Sequence, residues 1–267
     1  MTLAVVFKGP EGLVLAVDSR VTLETQMSSG QRVSSYFDNA TKLLSIQGQP
    51  YVGIVTYGMG VIGQAQPRTA HGFIPEFETQ LSTKYPERTN VIDVARELGD
   101  FYTEQWKQAK MPITGAQSMV FLVAGFDDRE AYGKVYEVQV PSAPTPAERN
   151  PGESFGLTWG GQSELVTRIM NGVDQQAIVL AKAELRLTDA QERALLKQWT
   201  QLSLPIPWQF LPLQDCVDLS AFLVNMTSAV QTWTVGVRGV GGAVDVATIT
   251  RTEGFRAIKQ KRIEVWE

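Results

Sequence analysis

Residues 2–22 read TLAVVFKGPEGLVLAVDSRVT, and this opening decides the fold. Leu3, Val5 and Phe7 alternate along one face of a strand, the turn residues GPEG follow at 9–12, and a second run goes from Leu13 to Val17. The pattern predicts a β-hairpin. Its second strand is apolar at every position, which an antiparallel strand shows when both faces of its sheet are covered. A layered sandwich follows, with something packed on each side.

The rest of the chain fits that expectation. A polar stretch from Leu23 to Asn39, rich in Ser and Gln, leads into ATKLLSIQGQPYVGIVTYG, two strands about the Gly48-Gln49-Pro50 turn. From Gly60 the character changes to helix, with Pro67 and Pro75 marking breaks or first-turn positions. Val91, Val94, Ala95, Leu98, Phe101, Tyr102 and Trp106 recur at helical spacing, an apolar stripe that needs a sheet to cover it. SMVFLVAGF and KVYEVQV read as strands, PSAPTPAERNPGES as a proline-rich surface loop, and FGLTW as a strand. Helices follow: SELVTRIM, a segment opening on the Thr188/Gln191 capping box, and the run Cys216, Leu219, Leu223, Met226, Val230, Trp233. GGAVDVATITR closes the pattern as a last strand. This order predicts an α+β protein, a four-layer αββα sandwich forming one domain over residues 1–267.

Composition excludes several function classes. A single cysteine, Cys216, and a single histidine, His71, cannot form an intramolecular disulfide or a Cys/His metal site, so no metal and no cofactor are expected. Cys216 reads as a core residue of its helix and His71 as a surface or helix-packing residue. Net charge is −4 and the 24 basic residues form no stripe, which argues against nucleic acid. Lys8, Glu11 and Asp18 interrupt the N-terminal run, unlike a signal peptide, and no stretch reaches the length of a membrane span. The expected location is the cytoplasm.

Thr2 directly follows the initiator methionine, which is readily trimmed before a small residue, so Thr2 is the expected mature N-terminus. A terminal threonine carries a hydroxyl nucleophile and, in its α-amine, a base that titrates near neutral pH. The amine works as a base only when neutral, so it needs a nearby cation, and a carboxylate must hold that cation in place. Lys42 and Asp18 are the candidates. With the hairpin, Asp18-Ser19-Arg20, the Lys42 segment ATKLLSI and the strand PYVGIVTYGMG, the opening resembles the start of a proteasome β-type or HslV-like subunit, within the N-terminal nucleophile hydrolases. The chain is most similar to the divergent bacterial homologues, the beta-proteobacterial proteasome homologue first and Anbu second.

The resemblance implies the same four-layer architecture and a set of roles. Thr2 would be nucleophile and base, Lys42 the electrostatic neighbour of the amine, Asp18 the partner of the lysine, and Arg20 a structural support. Gly58 would donate to an oxyanion, and Thr22 would offer backbone groups to an extended peptide. It further implies a peptide or unfolded-protein substrate, a homo-oligomer in a double ring or a spiral, and an ATP-dependent unfoldase as candidate partner. Two departures stand out: the family's Gly-Ser-Gly is Trp159-Gly160-Gly161, and Val237 and Val240 replace the Asp and Ser near the last Gly-Gly. The segment between Asp18 and Lys42 is also longer than the family's. These departures make an inactive ring-forming scaffold the first alternative. The second is a nucleotide-binding oxidoreductase, from the G-x-G-x-x-G match at Gly58-Met59-Gly60-Val61-Ile62-Gly63. The match follows an apparent strand and precedes helical sequence, but the fingerprint also expects a second parallel strand ending in an acid about twenty residues on, whereas Glu76 and Glu78 lie in a helical stretch.

Overall fold

The structure is a computed structural model that describes residues 2–26, 30, 32–63, 66–113 and 118–261. Met1, whose removal the sequence predicts, lies outside the described residues. The chain forms two compact units, Met1–Gly161 with Trp208–Glu267, and Gln162–Pro207.

Two antiparallel five-stranded sheets make the centre of the first unit. One has the order β12-β1-β2-β13-β14, from strands Gly156–Gly161, Leu3–Lys8, Leu13–Asp18, Val244–Thr250 and Gly254–Lys259. The other has the order β11-β10-β9-β6-β5, from Ala143–Arg149, Lys134–Val140, Met119–Gly125, Val52–Gly58 and Leu43–Ser45. Ala4, Val6, Leu13, Leu15 and Val17 of the first sheet pack against Val55, Leu122, Ala124 and Val135 of the second. Helix α6 (Leu213–Trp233) lies on β1, β2 and β13, and α2 (Val91–Gln108) on β9, β10 and β11. The layers are therefore helix, sheet, sheet, helix. The unbroken apolar run of β2 follows from this: one face meets the other sheet and the other meets α6.

The stripe read from the sequence is the buried face of α2, where Val94, Leu98, Tyr102 and Trp106 join Ile54, Phe121, Val123 and Val138 in one core. Helix α1 (Ile74–Lys84) carries Pro75 in its first turn, where the missing N–H has no partner to lose. Cys216 is buried and His71 is exposed.

Three expectations are corrected, and one stretch that carried no assignment gains one. The polar stretch 23–39 holds an antiparallel hairpin, β3 (Val21–Gln26) with β4 (Arg32–Phe37). The segment after Gly60 begins with two short paired strands, β7 (Val61–Ile62) and β8 (Arg68–Thr69), before any helix. The proline-rich loop contains β11, and a further strand, β14, follows the strand expected to be last. Both β11 and β14 are edge strands, where proline and exposed polar residues cost little because one edge needs no donors.

The second unit is helical: α3 (Glu164–Asn171), α4 (Gln175–Glu184) and α5 (Asp189–Trp199). Asp174 caps α4 by accepting Ala177 N–H at 2.9 Å, and α5 opens on the expected capping box, Gln191 Oε1 accepting Thr188 N–H at 2.9 Å. Among the described residues, no helix is long and apolar enough to cross a membrane.

Candidate active site

The β1–β2 hairpin brings the two ends of the opening sequence together. Ala4 pairs with Val17, so the residue before β1 and the last residue of β2 are neighbours. Thr2 is 5% exposed and Asp18 is fully buried. Four donors converge on the Asp18 carboxylate: Leu3 N–H and Lys42 Nζ on Oδ1, both at 3.1 Å, and Arg20 N–H and Gly241 N–H on Oδ2, at 3.0 and 3.1 Å. Burial pushes this carboxyl up, while Lys42 and the backbone donors pull the other way and favour its ionised form.

Lys42 stands just before β5 and has all three of its protons placed. They go to Thr2 Oγ1 at 2.7 Å, to Asp18 Oδ1, and to Arg20 O at 2.5 Å. Its own carbonyl accepts Thr56 N–H at 3.0 Å, tying it to β6. Burial pushes the ammonium below its usual range, and Asp18 opposes that shift. A saturated ammonium is not a proton acceptor, but it places positive charge 2.7 Å from the Thr2 oxygen, where it favours negative charge.

The long segment between Asp18 and Lys42 does not disturb this register. It forms the β3–β4 hairpin, whose base is closed by Ser19 Oγ donating to Asp38 O at 2.6 Å and Ala40 N–H donating to Ser19 O at 2.9 Å. Arg20 clamps the same base. Its Nε and Nη2 meet both Asp38 oxygens at 2.6 and 2.7 Å, its Nη1 donates to Arg238 O at 3.3 Å, and the guanidinium lies over the Tyr36 ring. Arg20 in turn holds the Asp38 carboxyl below the usual range.

Thr2, Lys42, Thr22, Tyr57, Gly58 and Met59 are among the residues lining a cavity of about 200 Å³. Gly58 ends β6 with φ +82°, and a Cβ there would lie 2.3 Å from Ser118 O, so only glycine fits the turn. Thr22 Oγ1 is buried with no hydrogen-bond partner among the described residues. Thr22 pairs with Tyr36, and among the described residues β3 and β4 make a sheet of two strands.

Other candidates lie elsewhere or lack polar atoms. Lys8, the other lysine near the N-terminus, sits at the far end of β1, about 20 Å from Thr2 at the usual strand rise. There it donates to Asn150 O and Gly152 O at 2.7 and 2.6 Å, which makes it a loop anchor. Val240 is fully buried, its N–H donating to Gln231 Oε1, and Val237 is 38% exposed. Gly160 leaves room that the Tyr57 ring fills. The glycine match at 58–63 runs from an antiparallel strand into β7, and the next α-helix begins at Ile74, so the dinucleotide fingerprint lacks its structural context.

Asp38, Gly241 and Tyr57 were not singled out from the sequence. Gly241 and Tyr57 lie far from the Thr2–Asp18 hairpin in sequence, and a backbone N–H or a wall residue leaves no local pattern.

No family model matches this sequence, and no curated protein is similar to it. Among solved structures, a Gly-1 mutant of Anbu from Hyphomicrobium sp. strain MC1 superposes with a TM-score of 0.58 at 15% identity, covering 98% of this chain and 88% of that one. The likeness shows the fold, an α+β sandwich shared over nearly the whole chain.

Proposed function

We propose that this chain is a threonine peptidase subunit in which Thr2, freed by removal of Met1, is the nucleophile. The observation that carries the reading is Lys42 Nζ, bonded at once to Thr2 Oγ1 and to the Asp18 carboxylate. A free α-amine ordinarily titrates near about 7.7–8.0, and a neighbouring ammonium lowers that value, so a larger share is neutral and able to accept a proton.

In this mechanism the Thr2 amine takes the hydroxyl proton as Oγ1 bonds to the scissile carbonyl carbon. Gly58 N–H and the Lys42 charge stabilise the oxygen anions that develop. Collapse breaks the C–N bond, the leaving amine takes the proton from the Thr2 ammonium, and an ester remains. Water then attacks the ester, again giving its proton to the amine, and the Thr2 hydroxyl is restored. The substrate is an extended peptide or an unfolded protein. The β3–β4 ribbon supports this part of the reading, because a two-stranded sheet leaves an outer edge at which an extended chain can pair. Residues 1–267 act as one peptidase domain within a cytoplasmic homo-oligomer, a closed double ring or a spiral, served by an ATP-dependent unfoldase.

Intact mass spectrometry tests the reading directly. The expected result is loss of Met1 and addition of one peptide epoxyketone or boronate per chain, abolished in Thr2→Ala. Met1 retained throughout the assembled protein overturns it. That outcome would favour the second reading, a scaffold subunit, for which the observation is the absence of polar side chains at Gly160 and Val240.

A further inference from the structure

Tyr57 is the last residue before Gly58 on β6, and its ring packs between the sheets beside Val55. The tip of the ring stands where a side chain on Gly160 would be: a Cβ built there would lie 2.1 Å from Tyr57 Cζ and 2.3 Å from Oη. Gly160 and Gly161 pair with Ala4 and Leu3, which places the phenol against the start of β1. Tyr57 also lines the cavity shared by Thr2 and Lys42. Its hydroxyl nevertheless makes no hydrogen bond among the described residues. Tyr102, which is fully buried, donates to Ala70 O at 2.6 Å. Tyr57 is half-buried on the wall of the cavity that holds Thr2, so its hydroxyl is open to a partner that forms there only after processing.

The threonine α-amine is such a group, because it exists only once Met1 is gone. We infer that Tyr57 is a positioning residue for that amine: its hydroxyl oxygen accepts one amine N–H and turns the nitrogen lone pair toward Thr2 Oγ1. This inference rests on the peptidase reading above. It assigns to β6 an orienting contact that Gly160, without a side chain, cannot make from β12. Burial pushes the Tyr57 hydroxyl well above its usual range, with Glu137 adding to the shift, so it stays a neutral phenol at every working pH. A neutral acceptor next to the amine also stabilises the ammonium formed when the hydroxyl proton is transferred.

The test follows the rate of Thr2 labelling by a peptide epoxyketone across pH, in wild type and in Tyr57→Phe. Phenylalanine keeps the ring against Gly160 and removes only the oxygen. The expected result is a rate about tenfold lower on the plateau, the worth of one hydrogen bond, with the acid limb moved to lower pH because the ammonium has lost an acceptor. A second arm combines Tyr57→Ala with Gly160→Ser, where a serine hydroxyl supplied from β12 should recover part of the rate lost in Tyr57→Ala alone. Wild-type rate and profile in Tyr57→Phe overturn the inference and leave the peptidase reading standing. A slower rate with an unmoved acid limb also overturns it, since packing alone would do that. A wild-type chain that has lost Met1 but is not labelled at Thr2 overturns the peptidase reading, and this inference with it.

Discussion

At the scale of single residues the site depends on one buried ion pair. Removing Lys42 would take away the donor to Thr2 Oγ1 and leave Asp18 buried without its cation. Lys42→Ala is therefore expected to slow Thr2 labelling about a hundredfold or more. It should also destabilise the fold by about 3–5 kcal/mol, the usual cost of an orphaned buried charge. Labelling rates measured beside urea unfolding separate the two effects, and a wild-type labelling rate in folded Lys42→Ala would refute the lysine's role. Asp38 allows a second prediction. Its folded pKa lies below its unfolded one because Arg20 bonds it, so the pair adds stability above the unfolded pKa of about 3.9 and loses it as pH falls through the folded value. The gap in urea midpoint between wild type and Asp38→Asn should be widest near neutral pH and should close in acid. A gap that stays constant down to pH 3 would show that the pair does not titrate as stated.

At the scale of elements the β12–β1 contact is the tightest constraint on Thr2. Gly161 has φ +94°, and a Cβ on it would lie 1.8 Å from Thr2 O. That neighbour is backbone, which cannot step aside without moving Thr2. Gly161→Ala is expected to cost about 3 kcal/mol, at the upper end of ordinary overpacking, and to lower Thr2 labelling even where the variant remains folded. A variant with wild-type unfolding midpoint and labelling would show that β12 does not hold Thr2 in place. Gly160, one residue earlier, faces the Tyr57 ring, so a substitution there would displace that ring rather than the Thr2 backbone.

At the scale of the whole molecule, the proposed activity requires that the site be screened from folded proteins. Phe222 and Trp233 on α6 are 53% and 80% exposed, and Phe210 before the helix is 75% exposed, an apolar outer surface suited to subunit contacts. Light scattering is expected to give a multiple of the 29.5 kDa chain mass, reduced in Phe222→Asp/Trp233→Asp. A wild-type monomer at micromolar concentration would contradict assembly.

The sequence by itself determined the sandwich, because the all-apolar run at 13–17 and the stripe at 91–106 can be buried only between layers. It also singled out Thr2, Asp18 and Lys42 by residue type and order around one hairpin, although only the fold brings Lys42 to the other two. Strands such as β4, β11 and β14 were not legible, since edge and ribbon strands are held by backbone hydrogen bonds and need little apolar pattern. Tertiary structure alone decided that the long Asp18–Lys42 segment closes on itself as a hairpin, that Gly241 completes the Asp18 site, and that Tyr57 fills the space beside Gly160. Each of these is a contact between residues distant in sequence or a backbone donor, and neither leaves a periodic trace in the chain.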